Sequence, residues 1–147
     1  RRGLNADLKQ RALRALARRE HSRAELEQKL APHGTAEDIA ALLTELQRSS
    51  LLCDARCAES VVRAGASRYG PARLRHSLRA KGIAPELIES ALAAAETDEL
   101  AQARIVWQRK FASTPPDRSE YARQARFLQG RGFSVATIRR LLKAAQP

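Results

Sequence analysis

A glycine recurs at a nearly constant interval along this chain of 147 residues and constrains its fold more than any other feature. The segments 30–34, 78–82 and 128–132 each begin with Leu and end with Gly, and their glycines lie 48 and then 50 residues apart. Internal repeats of about this length are typical of proteins that stack one small structural unit on the next. The sequence therefore predicts three copies of one unit.

Helical patterns lie on both sides of each glycine. The helix that precedes it is predicted over residues 22–30, 71–81 and 117–129. Ser22 begins a capping box, and Pro71 stands at a first helical position, so both residues mark helix starts. We expect Gly34, Gly82 and Gly132 to take positive φ and to end these helices with left-handed caps. Apolar residues at helical spacing predict one further helix before each of these helices and another after each glycine.

The predicted fold is all-α, with three tandem three-helix repeats in an elongated, curved, solenoid-like arrangement. The repeats are expected to cover residues 5–52, 53–98 and 99–147. Each is expected to bury its apolar stripe partly against its neighbour. Leu, Ala, Arg, Glu, Lys and Gln dominate and favour helices, and the alternating β-branched runs that indicate strands are missing.

The chain is strongly basic, because 27 Lys and Arg against 16 Asp and Glu give a formal net charge of +11. Such a balance favours an acidic partner, which charge alone leaves open as nucleic acid, an acidic protein surface or an anionic membrane. No apolar run approaches the roughly 20 residues that span a bilayer. We therefore expect a soluble cytoplasmic protein without a membrane partner, and a monomer. The start at Arg1 without Met suggests a truncated or processed N-terminus.

The positive charge is unevenly distributed along the chain. Residues 100–147 carry ten basic and two acidic groups, and a further basic cluster precedes Gly82. Any single Arg is more often an ordinary solvated side chain, but a crowd of like charges favours a binding surface. The candidate binding residues are Arg68, Arg73, Arg75, Arg79, Lys81, Arg123, Arg126, Arg131, Arg139, Arg140 and Lys143.

Residues with catalytic or metal-binding chemistry form no recognisable motif. There is no phosphate-binding loop, dinucleotide fingerprint or zinc-protease motif. Cys53 and Cys57 match no standard zinc spacing, so we interpret them as small buried hydrophobes rather than as a redox or metal pair. His21, His33 and His76 are interpreted as surface residues. No catalytic residue, metal or cofactor is predicted.

Three segments together resemble the bacterial RecX family of recombination regulators. They are LLCDARCA at 51–58, RYGPARL at 68–74 continuing to LRAKGI at 78–83, and RFLQGRGF at 126–133. The resemblance spans nearly the whole chain and implies three tandem three-helix repeats. Cys53 and Cys57 depart from it, because they replace an Asp and a Phe of the family pattern.

The resemblance implies a regulator that binds the RecA recombinase filament on single-stranded DNA, along its helical groove. It also implies inhibition of strand exchange, ATP hydrolysis and co-protease activity. We hypothesise that the second and third repeats bridge neighbouring RecA protomers. The charge-assisted contacts would come from Arg73, Arg75, Arg79, Lys81, Arg126 and Arg131. The alternative is a nonspecific DNA-binding helical protein, which would bind single- or double-stranded DNA directly.

Overall fold

The computed structural model describes residues 2–95 and 98–142. That part of the chain contains nine α-helices and one short 3-10 turn, and it has no strand, so the predicted all-α class is confirmed. The α-helices are α1 Arg2–Arg18, α2 Arg23–Leu30, α3 Ala36–Arg48, α4 Asp54–Gly65, α5 Pro71–Ala80, α6 Pro85–Ala94, α7 Glu99–Lys110, α8 Arg118–Gly130 and α9 Val135–Leu142.

Local sequence signals set the helix starts. Ser22 accepts a hydrogen bond from the Glu25 backbone N–H, and the Glu25 carboxylate accepts one from the Ser22 N–H, which completes the predicted capping box. Asp117 caps α8 by accepting from the Glu120 N–H. Caps of this kind satisfy backbone donors that have no partner inside the helix. The helices before the glycines therefore begin within one residue of their predicted starts.

Each group of three helices encloses its own hydrophobic core. Leu8, Leu26 and Leu43 belong to the first core, Leu78 to the second and Leu128 to the third, and each of these side chains is at most 1% exposed. Most of each apolar stripe therefore packs inside its own repeat, and Phe133 of the third core also lies against Gly70 of the second repeat. Buried leucines of this kind each contribute on the order of 2 kcal/mol.

Two of the three glycines adopt the predicted backbone conformation. Gly82 has φ of +73° and Gly132 has φ of +96°, both in the left-handed region that favours glycine. The prediction for Gly34 is wrong, because its φ is −170° and its backbone is extended. A 3-10 turn, Ala31–His33, carries Pro32 and ends this helix in place of a left-handed cap. Thr35 then caps α3 directly.

The left-handed turns connect the repeats. The Ser22 hydroxyl at the start of α2 donates to the Lys81 carbonyl at 2.6 Å, in the turn of the next repeat. At the following junction the Gly70 N–H, just before α5, donates to the Arg131 carbonyl at 2.7 Å. All hydrogen bonds between repeats in the described ranges join the first repeat to the second or the second to the third. The molecule is therefore a linear array.

Candidate binding surface

Cations and aromatic rings meet where the second and third repeats join. The Arg73 guanidinium lies 4.6 Å from the centroid of the Tyr69 ring, and Arg131 lies 5.6 Å from the same ring and 5.1 Å from that of Phe127. Lys110 lies 4.7 Å from the Phe127 centroid. We call these five residues the junction surface. Each cation–π contact is worth about 0.5–1 kcal/mol at an exposed site, so the contacts hold the cations in place.

The glycine turn makes this arrangement possible. A Cβ on Gly132 would lie 2.5 Å from both the backbone nitrogen and the Cβ of Arg73. Without that atom the start of α5 approaches closely enough for the Ala72 N–H to donate to the Gly132 carbonyl at 3.2 Å. Arg73 then donates to the Gly130 carbonyl at 3.0 Å. The backbone of the turn therefore positions Arg73 and Arg131 side by side.

Carboxylates are missing from the junction surface. Within the described ranges, Arg73, Lys110 and Arg131 form no ion pair with any acidic side chain. A guanidinium that stacks on a ring still has N–H donors at its edge, and a carboxylate or phosphate could accept from them. The junction surface can therefore bind an anion without first breaking an internal salt bridge.

Three of the predicted binding cations already have internal acidic partners. Arg75 donates to both oxygens of Glu89, at 2.9 and 3.1 Å, and this hydrogen bonding lowers the pKa of Glu89. Arg123 pairs in the same bidentate way with Glu120. Lys81 lies 3.2 Å from the Glu25 carboxylate.

Glu25 is the centre of the first junction. Burial raises the pKa of this carboxyl, but hydrogen bonds from Arg19, the Ser22 backbone and Lys81 outweigh that effect and bring its pKa to about 2. The Arg19 contact is 2.9 Å. Lys81 thus neutralises a half-buried carboxylate between repeats, which reduces its availability to a partner.

The remaining predicted cations are exposed and unpaired within the described ranges. Arg79 only donates to the Arg75 carbonyl, at a long 3.4 Å. Lys143 lies outside the described residues. Among the described residues, the predicted binding cations that are exposed and form no ion pair or hydrogen bond are Arg68, Arg126, Arg139 and Arg140.

Sequence reasoning missed two cations of α7. Lys110 belongs to the junction surface, and Arg109 donates to the Ser67 carbonyl at 3.0 Å, across the same junction. Both stand in the last turn of their helix, where a basic residue also interacts favourably with the helix dipole. The excess charge of the third repeat was a signal for them, but the Lys110 contact depends on how α7 packs against α8, and the Arg109 contact on how α7 packs against the second repeat.

Two interpretations of chemically reactive residues need correction. His21 is only 4% exposed, and burial lowers the pKa of its ring, so the prediction of a surface residue is wrong there. Cys57 is buried as predicted, and burial raises the pKa of its thiol to about 11, whereas Cys53 is half-buried before α4. No cluster of potential metal ligands occurs in the described part of the chain.

Fold and surface together define a helical repeat protein with cationic side chains at a repeat junction. The family models for the first, second and third three-helix domains of RecX match residues 9–43, 54–92 and 96–142. The chain belongs to the RecX family. This is a family of regulatory proteins, which agrees with the prediction of a regulator rather than an enzyme.

Relatives and solved structures resemble the chain over most of its length. The regulatory protein RecX of Leptothrix cholodnii is 49% identical over 139 residues, which are 94% of this chain and 88% of the relative. That of Ralstonia nicotianae is 45% identical, with 94% and 87% covered. The crystal structure of RecX from Lactobacillus salivarius is similar in fold, with a TM-score of 0.83, 23% identity and 99% and 98% of the two chains covered. No described helix is long and apolar enough to cross a bilayer.

Proposed function

We propose that this protein binds the RecA recombinase filament on single-stranded DNA, as a monomer, and inhibits or modulates its recombinase, ATPase and co-protease activities. The observation that carries the proposal is the junction surface, which presents three fixed cations that have no carboxylate partner among the described residues. Family membership supports the same regulatory role. A filament offers acidic protein surface and phosphate in a repeating array, and a linear array of repeats suits such a partner.

Other unpaired cations of the third repeat extend the proposed contact area. Arg126 belongs to α8 and Arg139 and Arg140 to α9, and all three are exposed. Cations that are unpaired before binding gain charge-assisted hydrogen bonds without losing internal ones. A ligand that binds one state of the filament better shifts the population toward that state. Contacts to neighbouring protomers would thus hold the filament in a state that hydrolyses ATP slowly.

The test is ATP hydrolysis by RecA on single-stranded DNA, titrated with this protein. Replacing Lys110 and Arg131 of the junction surface together by Gln is expected to raise the concentration needed for half-inhibition by roughly tenfold, because two charge-assisted contacts are lost. The matched control neutralises Lys9 and Arg48 in the first repeat, so that both variants lose two charges. Inhibition that weakens equally in both variants would contradict the proposed surface.

The second candidate function is nonspecific DNA binding, favoured by ten basic and two acidic groups in residues 100–147. Direct DNA binding needs no RecA and weakens steeply with salt, because counterions are released from the phosphates. Filament binding needs the assembled recombinase. Inhibition of ATP hydrolysis that disappears when excess bare DNA is added would favour this second function.

A further inference from the structure

A second basic surface lies in the first repeat, far along the chain from the junction surface. Helix α1, the end of α2 and the 3-10 turn enclose an open cleft of about 200 Å³. Its apolar floor contains Ala15 and Leu30, which are 3% and 1% exposed. We call it the repeat 1 cleft. The charged or titratable residues that line it are Arg11, Arg14, Arg18, Lys29 and His33.

Three of these cations form a row. Arg11, Arg14 and Arg18 are three and four residues apart on α1, so they share one face of the helix. At 1.5 Å of rise per residue the row is about 10 Å long. Like charges at this spacing repel one another, which destabilises the free helix slightly. A ligand with a row of negative charges would remove that repulsion.

Internal carboxylates compensate little of this charge. Arg11 donates to Asp7 at 2.9 Å. Within the described ranges, this is the only ion pair that a cleft residue forms. Arg14, Arg18 and Lys29 are without one. The dipoles of α1 and α2 account for basic residues in their last turns, namely Arg18 and Lys29. They do not account for Arg14, which lies further from the end.

We propose that the repeat 1 cleft binds the phosphate backbone of one nucleic-acid strand, independently of base sequence. A strand of DNA advances about 3.4 Å per phosphate, so a cationic row of about 10 Å faces roughly three phosphates. Among the described residues, no Phe, Tyr or Trp side chain lines the cleft to stack on a base. Contacts that reach only phosphates position a nucleic acid but do not specify its sequence.

This contact goes beyond the proposed function, whose residues lie in the second and third repeats. It would give the protein a hold on DNA that needs no RecA. An acidic protein segment could also complement the cleft, but a row of cations along one helix face suits a strand that carries a charge at every nucleotide better than carboxylates scattered over a folded surface.

The experiment measures binding of a fluorescein-labelled oligothymidylate to the whole protein, without RecA, by anisotropy between about 50 and 300 mM salt, over which the Debye length falls from about 14 to about 6 Å. The test variant is Arg14→Gln with Arg18→Gln. The control, Lys9→Gln with Arg48→Gln, removes the same charge from the same repeat but outside the cleft. Thermal unfolding of both variants, followed by circular dichroism, establishes that they are folded.

We expect the test variant to bind roughly 10- to 30-fold more weakly at 0.1 M salt, with the slope of log affinity against log salt reduced by about 1.4, since two contacts to a single strand are lost. The control should stay within about twofold of the unchanged protein. Equal losses in the two variants, or no DNA binding by the unchanged protein, would overturn the proposal. So would unchanged DNA binding with weakened RecA inhibition, which would assign the cleft to a protein partner. If RecA is never inhibited but the expected DNA result is obtained, only the proposed function fails.

Discussion

The two repeat junctions share a backbone arrangement but differ in side-chain chemistry. In both, the start of one repeat's second helix contacts a left-handed glycine turn in the next repeat. The first junction encloses the Glu25 carboxylate, which pairs with Arg19 and Lys81. The second has no carboxylate at the equivalent place, and its arginines stack on Tyr69.

This difference shows what decides whether a cation at a repeat junction keeps its charge free for a partner. The glycine turn determines how closely two repeats approach, whichever side chains surround it. The side chains then determine whether the cations of the junction are neutralised internally, as Lys81 is, or stay unpaired, as Arg73 and Arg131 do. Two junctions of one backbone design can therefore serve stability in one place and recognition in another.

The largest expected effect comes from adding a methyl group to the glycine turns. Gly132→Ala should lower the free energy of unfolding by about 3 kcal/mol or more, because it adds a strained φ to a clash with the Arg73 backbone. Gly82→Ala should cost about 2 kcal/mol, since its new Cβ meets a single methyl group, that of Ala24, at 2.6 Å. Urea unfolding measures both values.

Gly130→Ala is the control for these substitutions. A Cβ there meets no atom within 4 Å, and the residue ends α8, so the change should be neutral or slightly stabilising. If Gly82→Ala proved as costly as Gly132→Ala, backbone strain alone would explain both losses. The closer approach at the second junction would then contribute nothing measurable.

Removing the carboxylate that distinguishes the first junction should have the next largest effect. Glu25→Gln is expected to cost about 2 kcal/mol of unfolding free energy, because Arg19 and Lys81 lose their partner in a half-buried site. Glu27→Gln, on the exposed side of the same helix, should change it by less than about 0.5 kcal/mol. Equal effects in urea unfolding would show that Glu25 does not stabilise the junction.

Acid should weaken the first junction through the same group. The pKa of Glu25 is lowered in the folded protein from 4.5 to about 2, so the unfolded state takes up its proton first. The stabilisation is therefore fully present above pH 4.5 and is lost as the pH falls toward 2. Melting temperatures of the unchanged protein and Glu25→Gln should converge over this range, and a constant difference between them would contradict the assignment.

The sequence predicted the repeat and its helices because their signals are local. A capping box, a helix-initiating proline and a glycine turn each act within a few residues, as Ser22, Pro71 and Gly82 show. Gly34 was predicted wrongly because Pro32 offered a competing local ending, the 3-10 turn. Where two local signals compete, packing decides between them.

The availability of the surface cations was less predictable, because the carboxylate that neutralises a cation can lie far away in the sequence. Lys81 and Glu25 are 56 positions apart, and no local pattern indicates that one neutralises the other. The repeat 1 cleft was missed for a related reason. Its charge is modest in the sum for the first repeat, which hid the row of arginines on α1, and the packing of α1 against α2 then adds Lys29 and His33 to that row.

The smallest expected effect tests the stacked arginines of the second junction. Arg73→Gln removes the hydrogen bond to the Gly130 carbonyl and the contact with Tyr69, and should lower the free energy of unfolding by about 1 kcal/mol. Arg68→Gln is the control, since Arg68 is exposed and unpaired within the described ranges and should contribute almost nothing.

Urea unfolding and RecA inhibition, measured on the same Arg73→Gln variant, together separate two explanations of its effect. If Arg73 mainly joins the repeats, its loss should lower stability and leave RecA inhibition unchanged once the variant is folded. If it mainly faces a partner, inhibition should weaken by more than the small loss of stability explains. An Arg73→Gln variant that matched the unchanged protein in both measurements would remove Arg73 from the junction surface, and the contrast between the two junctions would then depend on Glu25 alone.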